Sequence, residues 1–463
     1  MATSGLQFLR VAILTRLLTP EDFGLMGMMV VVLGLAQAFS DMGLSNAIIH
    51  RQDTTRGQLS SLYWANWIAG LLTFAALCGL APFIAIFYHE PRLDHLMMWA
   101  AAAFLIGPVG QQFRVLLQRE LHFRALATIE VSAAAFATAV AVVLAAAGAG
   151  VYSLVFSQLA GNAVEATCLA VIGWRRWTPR LHFDRGELRG FLSFGTYQMA
   201  ERSINYLTAN LGYLIIGRVL GSEALGPYYV ASQLIITPLI RINPIVTRVA
   251  FPVFSRKQRD NGTLVQGYLE ITHFLALIVI PVLVGLAAAA PVLVPVLLGA
   301  QWSGATPLIE VLAFVGVLRA VGNPIGSILL AKGRADIGFW WNAVVAVLTG
   351  AIFMAVVEHG TLAIALGYLA ICVLNMIVLL VLLDRLLGLG WKQYLASMRG
   401  PAIAALLMGV IVRGTSAPVA EWLSPISLAA ASLVLLGAIV YASAIVGLEG
   451  PYLRRLGVTL LNH

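Results

Sequence analysis

Gln198, Glu201, Arg202 and Asn205 stand at i, i+3, i+4 and i+7 in an otherwise apolar run, so on a helix they share one face. Arg10, Arg241 and Arg319 interrupt other apolar runs, accompanied by Asn243 and Asn323. Asp41, Gln111, Gln112, Asn162 and Glu165 add further polarity. Guanidinium groups fork onto phosphate oxygens and amides bond hydroxyls, so this set suits an anionic, sugar-bearing ligand. The competing reading is structural: Glu201 pairs with Arg241 or Arg319 and fastens helices together. The excess of arginine over carboxylate at that depth favours the ligand. Arg16, Glu21, Arg218 and Glu223 form a separate set, expected to cap helices or to gate access. His/Cys clusters with metal-ligand spacing, phosphate-cradling glycine loops and nucleophile–base pairs are absent from the sequence. Neither a cofactor nor a metal is expected, and the chain does not read as an enzyme.

The elements that must position these residues are hydrophobic. Of 463 residues 60% are hydrophobic and 11% charged, and the mean hydropathy is +0.88. That leaves too little polar surface to cover a water-soluble globule. A helix crosses the hydrocarbon with roughly 20 apolar residues, and lipid requires every backbone group to be satisfied within the segment. The fold class is therefore an all-α polytopic membrane protein. Apolar runs near 5–18, 23–44, 59–87, 96–117, 127–147, 151–173, 191–217, 224–250, 269–298, 306–331, 338–357, 361–383, 400–413 and 425–446 predict about fourteen transmembrane helices. A charge at mid-depth costs about 2.5–3.5 kcal/mol unless it faces protein or water, so the polar stripe at 198–205 is expected to face an interior. Gly107-Pro108, Pro238, Pro244, Pro281 and Gly322-Asn323-Pro324 are expected to bend their helices.

The formal net charge of +8 is not spread evenly. Arginine and lysine crowd alternate loops, with Arg114, Arg119 and Arg124 in one and Arg175, Arg176, Arg180, Arg185 and Arg189 in another. The intervening loops, 89–94, 148–150, 299–304 and 358–360, are nearly bare. The positive-inside rule makes the first set cytoplasmic and places both termini in the cytoplasm. Tyr63, Trp64, Trp67, Trp174, Trp177, Trp340, Trp341 and Trp391 fall at the inner boundary, and Trp99, Trp302 and Trp422 at the outer one, as an aromatic belt requires. The basic loops thus read as orientation signals, not as a nucleic-acid surface. Met1 to Gly5 has no basic character, so the first hydrophobic segment is expected to be retained. Cys78, Cys168 and Cys372 all lie in spans and read as packing residues.

An internal repeat organises the chain. Residues 16–24 and 218–226 share Arg-x-Leu-x-x-Glu-x-x-Gly at an offset of about 200 residues, and 109–117 matches 321–329 at a similar offset. An even number of helices separates the copies, so both halves have the same orientation. The expected organisation is an N-terminal six-helix lobe at 1–173, a cytoplasmic linker at 174–190, a second six-helix lobe at 191–384, and two additional helices with the tail at 385–463.

Five stretches carry a family resemblance: RLLTPEDFG (Arg16 to Gly24), FSDMG (Phe39 to Gly43), GQQFRVLLQRELHF (Gly110 to Phe123), NPIVTRVAFPVF (Asn243 to Phe254) and VGNPIGSILLAK (Val321 to Lys332). They resemble the MOP (multidrug/oligosaccharidyl-lipid/polysaccharide) exporter superfamily, and within it the Wzx-type polysaccharide flippases of the colanic acid exporter branch. The resemblance implies two pseudo-symmetric six-helix lobes around a central cavity, plus two C-terminal helices. It implies translocation of an undecaprenyl-diphosphate-linked oligosaccharide, an exopolysaccharide or lipopolysaccharide repeat unit, from the cytoplasmic to the periplasmic leaflet of a bacterial inner membrane by alternating access. The implied partners are that lipid-linked substrate, membrane lipids, and polymerase and export machinery, with no nucleic acid. Arg10 falls where the peptidoglycan-precursor flippases of the superfamily keep a cavity arginine. Asp41, Glu201 and Asn205 match polar positions of the branch, whereas Arg202 departs from it, and family members have a further stretch before the first helix. A multidrug antiporter of the same fold would need an acid-centred, aromatic cavity. A membrane-embedded polysaccharide polymerase would need a large periplasmic loop.

Overall fold

The computed structural model describes residues 2–41, 55–236, 239, 260–422 and 426–461. Among these residues there is no strand, and the described helices run in chain order as α1 (Ala2–Leu17), α2 (Pro20–Asp41), α3 (Arg56–Tyr88), α4 (Arg92–Ala101), α5 (Ala103–Arg119), α6 (Phe123–Ala146), α7 (Val151–Trp174), α8 (Arg185–Val219) and α9 (221–236). They continue as α10 (Asn261–Leu297), α11 (Ala305–Gly322), α12 (Ile325–Ala331), α13 (Ala335–Val356), α14 (Thr361–Leu387), α15 (Trp391–Trp422) and α16 (Ile426–Leu461). Eleven spans among the described residues are long and apolar enough to cross a membrane, with α4–α5 and α11–α12 each counting as one. The 16-residue α1 falls short of that length, and the polar stripe of α8 lowers its hydropathy. Large apolar side chains such as Leu72, Phe83, Ile86, Val143, Val347 and Val410 point outward and exposed. A surface of that kind needs lipid around it.

Polar caps start the helices where the chain leaves a loop. The Thr55 hydroxyl accepts from the Gln58 N–H at 3.2 Å while the Thr55 N–H donates to the Gln58 side chain at 3.1 Å, a reciprocal cap on α3. Asp184 accepts from the Gly186 N–H at 2.7 Å and Asp260 from the Gly262 N–H at 3.0 Å, capping α8 and α10.

The chain packs as two compact units, residues 1–229 and 230–463. In the first, Tyr63, Phe113 and Trp177 form an aromatic core whose ring centroids lie 5.8–6.3 Å apart. Small residues bring helices close around it: a Cβ on Gly161 would press on Ala137, one on Gly110 on Ala166, and one on Gly173 on Phe113. The connection after α7 is pinned to α3. The Arg180 and Asp184 N–H groups donate to the Ser60 and Ser61 hydroxyls at 3.1 Å each, and the Trp64 indole donates to the Arg180 carbonyl at 2.8 Å. The helix α8, expected to open the second lobe, groups with the first unit, where the Tyr206 hydroxyl donates to the Val30 carbonyl at 2.6 Å over Gly34.

In the second unit, one buried cluster gathers Ala276, Ile280, Val321, Met408, Val412 and Leu433, and another stacks Tyr268 on Tyr394 among Leu264, Ile328, Leu379 and Leu383. The chain bends at Gly322-Asn323-Pro324 as expected, separating α11 from α12. The chain breaks between α4 and α5 at Ala102, and α5 continues through Gly107-Pro108. Pro108 cannot donate to the Phe104 carbonyl, and that oxygen turns to Gly70 of α3, where only a missing side chain leaves room. Pro281 leaves α10 unbroken. Trp302, expected at the outer boundary, is fully buried. The short turn 300–302 folds the ring inward. Pro238 and Pro244 lie outside the described residues.

Candidate functional site

Arg10 on α1 is half-buried and donates to the Ser157 hydroxyl of α7 at 2.7 Å. That hydroxyl is fixed in turn by its bond to the Leu154 carbonyl, 2.9 Å away. The guanidinium is thus oriented by a neutral hydroxyl partner. Gln111 and Asn205 are half-buried and exposed respectively, in the same unit. In the second unit Arg319 is exposed and donates to the Tyr368 hydroxyl at 2.9 Å. Asn323 is half-buried at the bend that ends α11. The side chains of Asp41, Gln198, Glu201 and Arg202, and Arg241 and Asn243 altogether, lie outside the described residues. The backbone of α8 places residues 198, 201, 202 and 205 on one helix, as the spacing predicts.

Not all polarity inside the helices serves this set. Arg114, assigned by its sequence position to a basic loop, lies inside α5 and holds two carboxylates, Glu130 of α6 at 3.0 Å and Glu165 of α7. It is a structural cross-brace among three helices. Replacing it by Ala leaves two partly buried carboxylates facing each other. Because all three side chains keep about a third of their surface exposed, the expected loss is about 1–3 kcal/mol. It is read as a fall in melting temperature in detergent, and Glu130→Gln in the same chain is expected to restore part of it.

The repeated motif proves to be a contact. Gly24 of α2 lies against the Ser222 carbonyl of α9, and Gly226 of α9 lies against the Pro20 carbonyl of α2; a Cβ on either glycine would overlap the opposing backbone. Each copy therefore supplies the glycine that admits the other. Glu21, expected to cap a helix or to gate access, takes part in a cluster at this contact. It binds Arg92, which also holds Glu90 at 2.8 Å, and the Ser222 hydroxyl donates to Glu90 at 3.4 Å. Arg218 meets His89 and stands 5.4 Å above the Phe87 ring, while Glu223 is exposed. Sequence reading passed over His89, Glu90 and Arg92 because their loop carries almost no net charge. The signal was the compact His-Glu-Pro-Arg turn itself.

The Arg92 bond holds the Glu90 carboxyl below the usual carboxylate range, against the opposing pull of burial. A lowered folded-state value means that this bond stabilises the cluster at neutral pH and is lost as pH falls through that value. Acidification below about pH 4 is expected to loosen the turn, raising amide hydrogen exchange of residues 221–226 relative to the intrinsic rate at each pH. Glu90→Gln is expected to remove this pH dependence.

A helical membrane protein with oriented arginines inside apolar helices, and no extramembrane domain among its described residues, has the architecture of a membrane transporter. The chain belongs to the polysaccharide biosynthesis protein family, whose model matches residues 13–307. It is 36% identical to the teichuronic acid biosynthesis protein TuaB of Bacillus subtilis (strain 168) over 88% of this chain and 84% of that one. It is 32% identical to the lipopolysaccharide biosynthesis protein WzxC of Escherichia coli (strain K12) over 89% and 85%. Among solved structures it shares its fold with the lipid II flippase MurJ in an inward closed conformation, at a TM-score of 0.75 and 11% identity over 98% and 97% of the two chains. An inward-facing multidrug resistance MATE transporter of the MOP superfamily aligns at a TM-score of 0.63 and 16% identity over 83% and 95%.

Proposed function

We propose that this chain is a flippase that carries an undecaprenyl-diphosphate-linked oligosaccharide from the cytoplasmic to the periplasmic leaflet of a bacterial inner membrane by alternating access. The observation that carries this reading is a polysaccharide-biosynthesis chain built of membrane helices in the fold of a lipid II flippase. In it Arg10, Arg202, Arg241 and Arg319 neutralise the diphosphate, and Gln111, Asn205 and Asn323 bond the sugars, with Asp41, Gln198 and Glu201 lining the same path. The polyprenyl tail stays in lipid, so no pocket is needed for it. About fourteen spans in two six-helix lobes and a terminal pair, with both termini cytoplasmic, complete the arrangement. Neither a catalytic step nor a cofactor is required. Polymerase and export machinery would receive the product at the far leaflet.

The test is a leaflet-sidedness assay of lipid-linked oligosaccharide in proteoliposomes. Protein-dependent appearance of the sugar in the outer leaflet is the expected result, and vesicles with and without protein behaving alike would remove the proposal. A multidrug antiporter shares the fold, and would instead move amphipathic cations in the same vesicles and leave the lipid-linked sugar where it began.

A further inference from the structure

The turn that ends α5 and the connection that follows α7 meet at one end of the first unit. Arg176 of the connection pairs with Glu120 of the turn, and His122 Nε2 lies 3.5 Å from the same carboxylate oxygen. Both segments are held firmly. The His122 N–H donates to the Leu117 carbonyl at 2.9 Å and closes the turn, while the connection is bonded to Ser60, Ser61 and Trp64 of α3. The 33 residues of α3 make it about 50 Å long, about 20 Å more than the hydrocarbon is thick; centred in the bilayer, it leaves roughly its first 10 Å among headgroups. Ser60 and Trp64 lie about 6 and 12 Å from that start. The connection therefore runs along the flank of a span at headgroup depth, and not beyond the end of the helix.

What the two segments turn outward does not suit water. Leu181 is 95% exposed and Leu121 71%, and Phe123 and Phe183 are exposed as well. Leu121 also takes a left-handed backbone, at φ 61°, where a leucine is strained and a glycine would not be. Apolar tips on a frame this fixed cannot fold back under the surface, so they call for an apolar medium. Basic groups accompany them. Arg124, Arg175 and Arg180 are exposed, whereas the two carboxylates of these segments are engaged, Glu120 by Arg176 and Asp184 by the Gly186 N–H at 2.7 Å. Positive charge is thus left over beside apolar side chains at the membrane boundary. That is the pattern of an amphipathic surface that enters the acyl layer and draws anionic headgroups to its rim.

We propose that the 120–124 turn and the 175–183 connection form one binding surface for anionic phospholipid. Leu121, Phe123, Leu181 and Phe183 enter among the acyl chains, and Arg124, Arg175 and Arg180 meet headgroup phosphates. Guanidinium forks match phosphate oxygens, and a headgroup of net negative charge brings no cation of its own to compete with them. A zwitterionic headgroup does, so it is held less well. An acidic soluble protein would also suit the arginines, but it would have to displace lipid from the side of a span to cover the leucines and phenylalanines. The pairing of Arg176 with Glu120 joins the two segments, so they present their apolar and basic groups as a unit.

The experiment places an NBD fluorophore on Leu181→Cys in the full chain, with Cys78, Cys168 and Cys372 replaced by Ala, in phosphatidylcholine nanodiscs. A minor fraction of the lipid carries a nitroxide on its acyl chain, either as phosphatidylglycerol or as phosphatidylcholine. At low salt the phosphatidylglycerol probe is expected to quench about fivefold or more better than the same fraction of the phosphatidylcholine probe. At about 1 M salt, where charges are screened within about 3 Å, the two are expected to quench alike. Replacing Arg124, Arg175 and Arg180 together by Gln is expected to remove the preference and leave quenching by phosphatidylcholine unchanged, which shows an intact fold; replacing them by Lys is expected to keep most of it. Equal quenching at low salt, or a preference that persists at high salt or in the glutamine chain, would overturn the proposal. So would a label that neither lipid quenches and that aqueous dithionite bleaches at once, the result for a surface that awaits a soluble partner. Nanodiscs offer the same lipid to both faces and no readout depends on transport, so the result stands apart from the flippase reading.

Discussion

A chain carrying Gly24→Ala is expected to lose most of its translocation activity while gaining helix stability. Alanine in place of glycine inside a helix stabilises it by about 1 kcal/mol, so a simple helix-propensity effect runs the other way. The added Cβ would overlap the Ser222 carbonyl, and backbone cannot yield as the tip of a flexible side chain can. The start of α9 must therefore move away from α2, taking Ser222 from Glu90. If the proposed cycle requires this contact to close, the rate is expected to fall at least about tenfold, equivalent to about 1.4 kcal/mol in the closing equilibrium. Gly226→Ala is expected to reproduce the loss through Pro20, and the double variant to add little, since one contact is being opened from both sides. The leaflet assay gives the rate, and thiol labelling of a cysteine at Ser222 gives the opening. Wild-type values of both in either variant would show that the contact has no part in the cycle.

Replacing Arg319 by Ala is expected to slow translocation of a diphosphate-linked substrate by roughly tenfold to 150-fold, the worth of about 1.5–3 kcal/mol for a hydrogen bond to a charged group. Lysine is expected to recover part of the rate, because it keeps the charge and loses the planar fork. Tyr368→Phe removes one hydroxyl that holds the guanidinium and keeps the charge, so its effect is expected to be smaller. Arg10→Ala is expected to match Arg319→Ala in size, and Ser157→Ala to match Tyr368→Phe. The discriminating comparison is with Arg114→Ala, which breaks two carboxylate bonds and lowers stability. If Arg319→Ala lowers the melting temperature as much as Arg114→Ala and leaves the rate per folded molecule intact, Arg319 is a fastener and not a ligand contact.

The helices were legible because lipid imposes one rule on every span. A run of apolar residues long enough to cross must satisfy its own backbone, so length and hydropathy marked their positions along the chain. Bends were only partly legible. Gly322-Asn323-Pro324 breaks its helix, whereas α10 continues through Pro281 and α5 through Pro108. A missing N–H frees a carbonyl, but whether the helix bends depends on what a neighbour such as Gly70 offers that carbonyl. Arginines were harder still. Arg114 and Arg10 both interrupt apolar sequence, yet the first is neutralised by two carboxylates and the second is held by a hydroxyl. Spacing along one helix cannot tell these apart, because the deciding partners stand on other helices, far along the chain. The 16–24 and 218–226 repeat was visible as text, but its meaning was not. Only packing reveals that the glycine of each copy is matched to the backbone of the other.

The segment between α7 and α8 is bonded at Ser60, Ser61 and Trp64 and buries Trp177 in an aromatic core. Fastened at so many points, residues 175–184 behave as a strut and not as a leash. Lengthening them with glycine and serine would loosen the foot of α3 before it granted any new freedom, so the give that a moving transporter needs has to be sought elsewhere along the chain.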